Sequence, residues 1–359
     1  MDRISIKEAC QLLDISRPTF DRYRLKYSLS ESKHGGTIRF SKTEIIKKII
    51  LPSNEKLDFF TLSMFGECNI HQIEPLSGVY DLRKIKGIDA FGVMALLCSI
   101  KAHLKVNDVN EVHLLLDNSP LCSYLESIGF FTEVERSHRG RINCDYSVVQ
   151  KRPQSRVAVI LPLHLIGYRG AEKKILDELY DPLLKQGFSE SCCGYIGWIV
   201  GELCDNAHTH SEGPCYLIVE ALPTASSHTR YLSIAIGDTG IGIATSLKKN
   251  PKYSLIEDNC LMPMAFMSEV SRMEVEPKRG KGLNDIVGIS KGNKSCLRVE
   301  TDNLAMMFDF RSDSNALSFV QPIGDASGTR FSLLLIDSEF NEVPRGEVNA
   351  IVNNFLEQT

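Results

Sequence analysis

The residues best suited to chemistry fall in four short segments of the C-terminal half. In Gly201-Glu202-Leu203-Cys204-Asp205-Asn206-Ala207-His208-Thr209-His210-Ser211, the side chains of Glu202, Asn206 and His210 recur every four positions and share one helix face. An amide oxygen on that face can bind Mg²⁺, and a carboxylate one turn earlier can orient and deprotonate a water. The run 234–237 leads into Asp238-Thr239-Gly240-Ile241-Gly242. Asp238 can accept a hydrogen bond from an exocyclic amine such as that of adenine, and Gly240 and Gly242 let the backbone approach a ligand closely. Lys278-Arg279-Gly280-Lys281-Gly282-Leu283-Asn284 precedes a helical stretch at 285–289, which sets cations and glycines at a helix N-terminus suited to phosphates. In Gly328-Thr329-Arg330, Thr329 opens a buried strand and can reinforce the contact to Asp238.

Other chemistries lack their residues. No Gly-x-x-x-x-Gly-Lys-Ser/Thr loop occurs, and Gly240-Ile241-Gly242 has no third glycine to make a dinucleotide fingerprint. Cys204, His208 and His210 have no paired Cys-x-x-Cys to complete a zinc site.

These segments need elements to hold them. Residues 151–340 open with a strand near 157–161, continue through two helices, the second beginning near Tyr195, and end in several β runs. That pattern predicts a mixed sheet with helices on one face, and residues 341–359 form a terminal helix or tail. Residues 57–150 interleave apolar runs at 79–82 and 112–116 with helical periods at 90–104 and 121–128, an α/β layer. Residues 1–52 end at the turn-forming Leu51-Pro52-Ser53-Asn54.

The first block has chemistry of its own. Residues 4–24 read as two short helices joined by a tight turn. Ser5 and Glu8 form a capping box on the first; Ser16 caps the second, with Pro18 in its first turn. Ala9, Leu12, Leu13, Ile15 and Phe20 supply a small core. Arg17, Thr19, Arg22, Tyr23 and Arg24 then lie on the second helix, where cations and hydroxyls reach phosphates and base edges. Residues 33–40 read as a hairpin turning at Gly35-Gly36, with Arg39 on the wing, positioned for a minor groove or the DNA backbone. A helical docking module with a solvated basic face is the alternative reading of this block.

Each block resembles a known family. Residues 3–50 resemble the winged helix-turn-helix of the MerR/excisionase type, with Ile38-Arg39-Phe40-Ser41 at the end of the wing. The middle block is similar to STAS-like domains, the fold of anti-sigma-factor antagonists, at residues 87–97 and 118–130. That family's phosphoacceptor serines would fall at Ala90 and Phe91, which cannot accept a phosphoryl group, so the resemblance implies an interaction surface for a protein partner. The order Glu-x-x-x-Asn, Asp-x-Gly-x-Gly, Gly-x-Gly-Leu, Gly-Thr resembles the nucleotide motifs of the GHKL ATPases across 155–337. It implies a Bergerat-type α/β sandwich binding ATP with Mg²⁺ under a mobile lid at 244–279. By position it implies Glu202 as the water-activating base, Asn206 as the Mg²⁺ ligand, Asp238 as the adenine anchor and Gly240 and Gly242 as the turn beside it. Lys278, Gly280, Lys281, Gly282 and Leu283 then form the phosphate loop, and Thr329 the last motif.

Composition bounds the rest. Of 359 residues, 43% are hydrophobic and 24% charged, ordinary globular values, and no apolar run is long enough for a membrane span. Eleven cysteines without a secretion signal read as free thiols in the cytoplasm. Residues 1–52 carry 11 of the 41 Lys+Arg and 6 of the 45 Asp+Glu, an excess of positive charge in a chain of net charge −4, which points this block at a polyanion.

The expectation is a multi-domain α+β protein: a winged helix-turn-helix (1–52), a STAS-like α/β domain (57–150), a GHKL α/β sandwich (151–340) and a C-terminal helix (341–359). Its function would be that of a homodimeric, ATP-switched DNA-binding regulator. A serine kinase acting on a separate STAS-like protein, or an ATP-binding scaffold without turnover, are the alternatives. His164 has no acidic neighbour following it, which argues against histidine autophosphorylation.

Overall fold

The computed structural model of the chain describes residues 3–13, 17–26, 29–34, 36–41, 56–57, 79–85, 87–106, 111–137, 140–149, 158–167, 170, 172–211, 213–222, 231–271, 281–311, 317–322, 328–337 and 340–357.

At the N-terminus, β1 (Arg3–Ser5), α1 (Ile6–Leu13), α2 (Arg17–Lys26), β2 (Glu31–His34) and β3 (Thr37–Ser41) follow in order. The capping box forms in both directions: the Ser5 amide donates to Glu8 Oε2 at 2.7 Å and the Glu8 amide to Ser5 Oγ at 3.3 Å. Gly36 turns the hairpin with φ +79°. The strand β1 was not expected; it pairs with β3 to give a three-stranded antiparallel sheet, β1-β3-β2. Phe20 of α2 meets Phe40 of β3 edge-on at 5.1 Å, and both are fully buried with Ala9. Ile15 and Ser16 lie outside the described residues.

The middle block comprises β4 (Lys56–Leu57), β5 (Val79–Asp81), β6 (Gly87–Ile88), α3 (Ala90–Val106), β7 (Val112–Leu115), α4 (Pro120–Ser127), α5 (Phe130–Ser137) and β8 (Ile142–Cys144). Strands β5, β7 and β8 form a parallel sheet, and β4 pairs in parallel with β6. Ser119 caps α4 through the Cys122 amide at 3.2 Å, with Pro120 at its first position. Every residue of α3 from Ala90 to Lys101 is buried, more than a helix on one small sheet can achieve.

The third block explains that burial. Its elements are β9 (Ala158–Ile166), α6 (Glu172–Lys185), α7 (Glu190–Asn206), β10 (Cys215–Leu222), β11 (Tyr231–Asp238), α8 (Ile243–Leu247), α9 (Asp258–Met264), α10 (Gly282–Gly292), β12 (Cys296–Thr301), β13 (Leu304–Asp309), β14 (Leu317–Pro322), β15 (Thr329–Ile336) and α11 (Arg345–Leu356). One seven-stranded sheet runs β14-β13-β12-β15-β11-β10-β9.

Every ladder in this sheet is antiparallel, which corrects the expected mixed sheet. Strands β11 and β12, with helices between them in the chain, do run the same way. They are not neighbours: β15 inserts between them and opposes both.

Side chains alternate between two cores with the period of two that a strand imposes. Leu217, Val219, Ile234, Ile236, Val299 and Leu333 pack under the helices of this block. Tyr216, Ile218, Ala235, Cys296 and Leu334 pack on the reverse face, in one core with Met94, Leu97 and Cys98 of α3. The helices of the third block cover one face of its sheet as expected; α3 of the middle block covers the other. A buried ionic cluster sits in that interface. Glu300 accepts from Arg298 Nε at 3.0 Å and pairs with Arg330 at 2.7 Å, and the Arg298 guanidinium lies 5.2 Å from the Phe91 ring centroid.

The terminal helix α11 belongs to this core, with Val348 and Val352 fully buried and Arg345 bound by both guanidinium arms to Asp285 of α10 at 2.6 Å. Among the described residues no helix is long and apolar enough to cross a membrane, and the described cysteines are free thiols.

Candidate functional site

Helix α7 starts at Glu190, a turn and a half earlier than Tyr195, because Ser189 caps it through the Cys192 amide at 3.2 Å. It ends in a π-turn over Ala207–Ser211, a widening of the helix that recurs at functional sites. Glu202, Asn206, His210 and Ser211 all line a cleft of about 280 Å³ between α7, the end of β11, α8 and the start of α10. The same cleft takes Asp238, Gly242, Lys281, Gly282, Leu283 and Thr329. Four segments separated by up to 127 positions in sequence therefore meet at one place.

Asp238 lies at the end of β11, 4% exposed. Its Oδ1 accepts the Gly240 amide at 2.8 Å and the Thr329 amide at 3.3 Å. Both bonds fall on Oδ1, and among the described residues none donates to Oδ2. Burial pushes this carboxyl up to about 7; the Gly240 and Thr329 amides oppose the rise. Thr329 thus holds Asp238 through its backbone amide. Its hydroxyl pairs instead with Thr301 Oγ1 at 3.1 Å.

The glycines are fixed by close approach. At Gly240 a Cβ would strike the Ser211 carbonyl, which accepts the Ile241 amide at 2.9 Å. Gly242 has φ +82°, and a Cβ there would meet the Asp302 carboxylate. Asp302, in the two-residue turn between β12 and β13, caps α8 by accepting the Ala244 amide at 2.7 Å and the Thr245 amide at 3.2 Å. Asp302 and Asn303 have φ of +49° and +64°, as a tight hairpin turn requires.

Glu202 is half-buried, and its Oε2 packs against the α-carbon of Gly282, the first residue of α10. Burial, with Asp205 and Asp285 nearby, raises its carboxyl above the usual range. One turn on, Asn206 Nδ2 is buried without a hydrogen-bond partner among the described residues, and so is Ser246 Oγ of α8, which lines the same cleft. Buried polar atoms are almost always paired, and these two belong to residues that line the same cavity.

Helix α10 begins at Gly282, a turn earlier than the expected start at Asp285, so Lys281 precedes it and Gly282 and Leu283 lie in its first turn. Lys278, Arg279 and Gly280 lie outside the described residues. Of the expected lid, residues 244–271 are folded into the helical layer. Leu261, Met262 and Phe266 are fully buried, and Asn250 Nδ2 donates to the Ser271 carbonyl at 3.2 Å. The apolar residues of that stretch give it a core position that its Lys, Asn and Pro content concealed.

Sequence reading missed Asp302, Thr301 and Ser246, and gave Ser211, the last residue of the first segment, no role. Asp302-Asn303 carries the turn signal, but the cap it supplies joins positions 58 apart.

On the N-terminal block, Arg17 and Arg22 are exposed on α2, the helix that also carries Thr19 and Tyr23. Arg24 is committed internally, to Asp21 at 2.9 Å and to Glu31 of β2 at 2.5 Å. Arg39 is exposed on β3, with Nη1 3.4 Å from the Arg3 carbonyl.

No protein-family model matches this chain, and no curated protein matches it.

Proposed function

We propose that the cleft binds ATP with Mg²⁺ and that the chain is a nucleotide-switched, DNA-binding regulator. The observation that carries this reading is the convergence of Glu202, Asn206, Asp238, Lys281, Gly282 and Thr329 on one cavity with unpaired polar atoms in its wall. The same motifs, in the same order, are those of the GHKL ATPases.

Each residue has a task that its surroundings suit. Asp238 Oδ2 accepts from the exocyclic amine of adenine, with Ile236, Leu247 and Phe331 supplying an apolar wall. Lys281 and the N-terminus of α10 receive phosphates. Asn206 turns its amide toward Mg²⁺ or a phosphate oxygen, since Nδ2 is not held by the fold. Bound Mg²⁺ would neutralise phosphate charge. Glu202, with its proton affinity raised by burial, accepts the proton of an attacking water.

DNA is bound by the N-terminal block through α2 and the wing, a second copy of the chain pairs two such blocks, and the middle block offers a surface to a protein partner. The nucleotide state then sets the arrangement of the DNA-binding blocks.

Calorimetry with ATP and Mg²⁺, followed by incubation with γ-labelled ATP, tests this reading. Heat of binding together with slow release of free phosphate, lost in Glu202→Gln while binding persists, is the expected result. Label on a partner serine would favour the kinase reading, binding without turnover a scaffold. No heat with any adenine nucleotide would overturn the site.

A further inference from the structure

The turn that carries Asp238 is held from behind by another block of the chain. Helix α3 lies along β11 on the reverse face, and three consecutive backbone positions each meet one of its side chains. Met94 packs against the α-carbon of Gly237, where a Cβ would come within 2.7 Å of its Cγ and Sδ. Cys98 Sγ lies 3.8 Å from the Asp238 carbonyl. Lys105 Nζ donates to the Thr239 carbonyl at 3.0 Å. Positions 94, 98 and 105 form one stripe of the helix, spaced by four and seven.

Lys105 is in the last turn of α3, where a cation would ordinarily serve its own helix end. Here it reaches across 134 positions of sequence to the residue between Asp238 and Gly240. At the other end α3 is anchored to the same sheet through the Ala90 amide and Glu220 at 2.8 Å. A helix of 17 residues is a stiff rod of about 25 Å, so both ends move together.

We propose that Lys105 is a positioning residue for the Asp238–Gly240 turn, through which the middle block holds the recognition carboxylate in place. The inference rests on the nucleotide reading of the cleft. Around Asp238, Asp302 opposes its ionisation and Lys105 favours it. The thiol of Cys98 beneath it is pushed up to about 12 by burial, that of Cys215 opposite it is raised by its hydrogen bond with Cys204 and then by burial, and both stay neutral across the working range.

The test compares the full chain with Lys105→Met, Lys105→Gln and Lys105→Arg, each checked for folding by thermal unfolding. Two quantities are read: ATP affinity between pH 6 and 9, and the carboxyl titration of Asp238 in ligand-free protein by ¹³C NMR after aspartate labelling. Lys105→Met should weaken ATP about tenfold and move both pH midpoints upward. Lys105→Gln, which keeps a donor without the charge, should recover affinity at high pH and retain the raised midpoint. Lys105→Arg should restore both. Folded Met and Gln variants with wild-type affinity and titration would overturn the assignment. Should the wild-type chain bind no ATP, the nucleotide reading falls. The titration in ligand-free protein still decides whether Lys105 governs Asp238.

Discussion

Glu220 of β10, fully buried on the reverse face of the large sheet, accepts the Ala90 amide with Oε2 at 2.8 Å, while its Oε1 takes the Tyr124 hydroxyl. One carboxylate thus caps α3 and ties α4 to the third block, across 130 positions of sequence in the first case. Burial pushes Glu220 up to about 7, and the two donors pull it back down. An acid whose native pKa exceeds its unfolded value binds more protons when folded. Its contribution is complete below the ordinary value of 4.5 and is lost as pH rises through about 7. The difference between those limits is on the order of 3 kcal/mol.

Glu220→Gln should therefore match the wild type near pH 5 and exceed its stability at pH 8, since the amide keeps an acceptor for Ala90 and carries no charge. Glu220→Ala should lose about 1–3 kcal/mol near pH 5, because a buried amide and hydroxyl are left unpaired, and that loss relative to wild type should shrink or vanish at pH 8, where the wild type bears the cost of the buried charge. Urea unfolding of the full chain at the two pH values measures both. A glutamine variant that is less stable than wild type at pH 8 would contradict the argument.

Asp238 has the same sign of shift and a different consequence. With Oδ1 already accepting two amides, a proton would sit on Oδ2 and turn it from acceptor into donor, so ATP affinity should rise with pH through about 7. Asp238→Asn should lower affinity by about 10–100-fold at pH 8.5, the effect of a charge-assisted hydrogen bond, and should flatten the pH profile. Calorimetric titrations at pH 6 and 8.5 check both parts.

What could be read in the sequence was local. The capping box at Ser5 and Glu8 forms between the atoms its spacing implied, and the four glycine- and acid-bearing segments lie around one cleft. What could not be read was which surfaces meet. The run from Ala90 to Ile100 is apolar on every side but for Ser99, the signature of a helix buried all round, yet periodicity names no second partner for it. Strand directions failed for a related reason: nothing near β11 or β12 announces that β15 will separate them. Asp302 is a turn residue by its neighbours and a helix cap only by its fold.

Glycine positions separate close approach from accident. Gly240→Ala would drive a Cβ into the Ser211 backbone and should destabilise the chain by about 1–3 kcal/mol while abolishing ATP binding. Gly194, inside α7 with open space around its α-carbon, behaves oppositely. Gly194→Ala should stabilise by about 0.5–1 kcal/mol through helix propensity alone. Urea midpoints of the two variants beside the wild type give the comparison.

The arginines of α2 divide in the same way. Arg24 bridges Asp21 and Glu31 and so pins the helix to the wing; Arg24→Ala should lower the melting temperature of the N-terminal block. Arg17 and Arg22 are exposed on that helix. If they meet phosphates, each lost contact should lower the slope of log affinity against log salt by about one, uniformly across DNA sequences. Arg17→Ala with Arg22→Ala should then abolish DNA binding at physiological salt and leave ATP affinity unchanged, because the cleft is built entirely from residues beyond position 201. Fluorescence anisotropy over a salt series, with calorimetry on the same samples, measures both. A double variant that keeps the wild-type salt slope would remove α2 from the DNA interface and leave the basic block as a protein-docking surface.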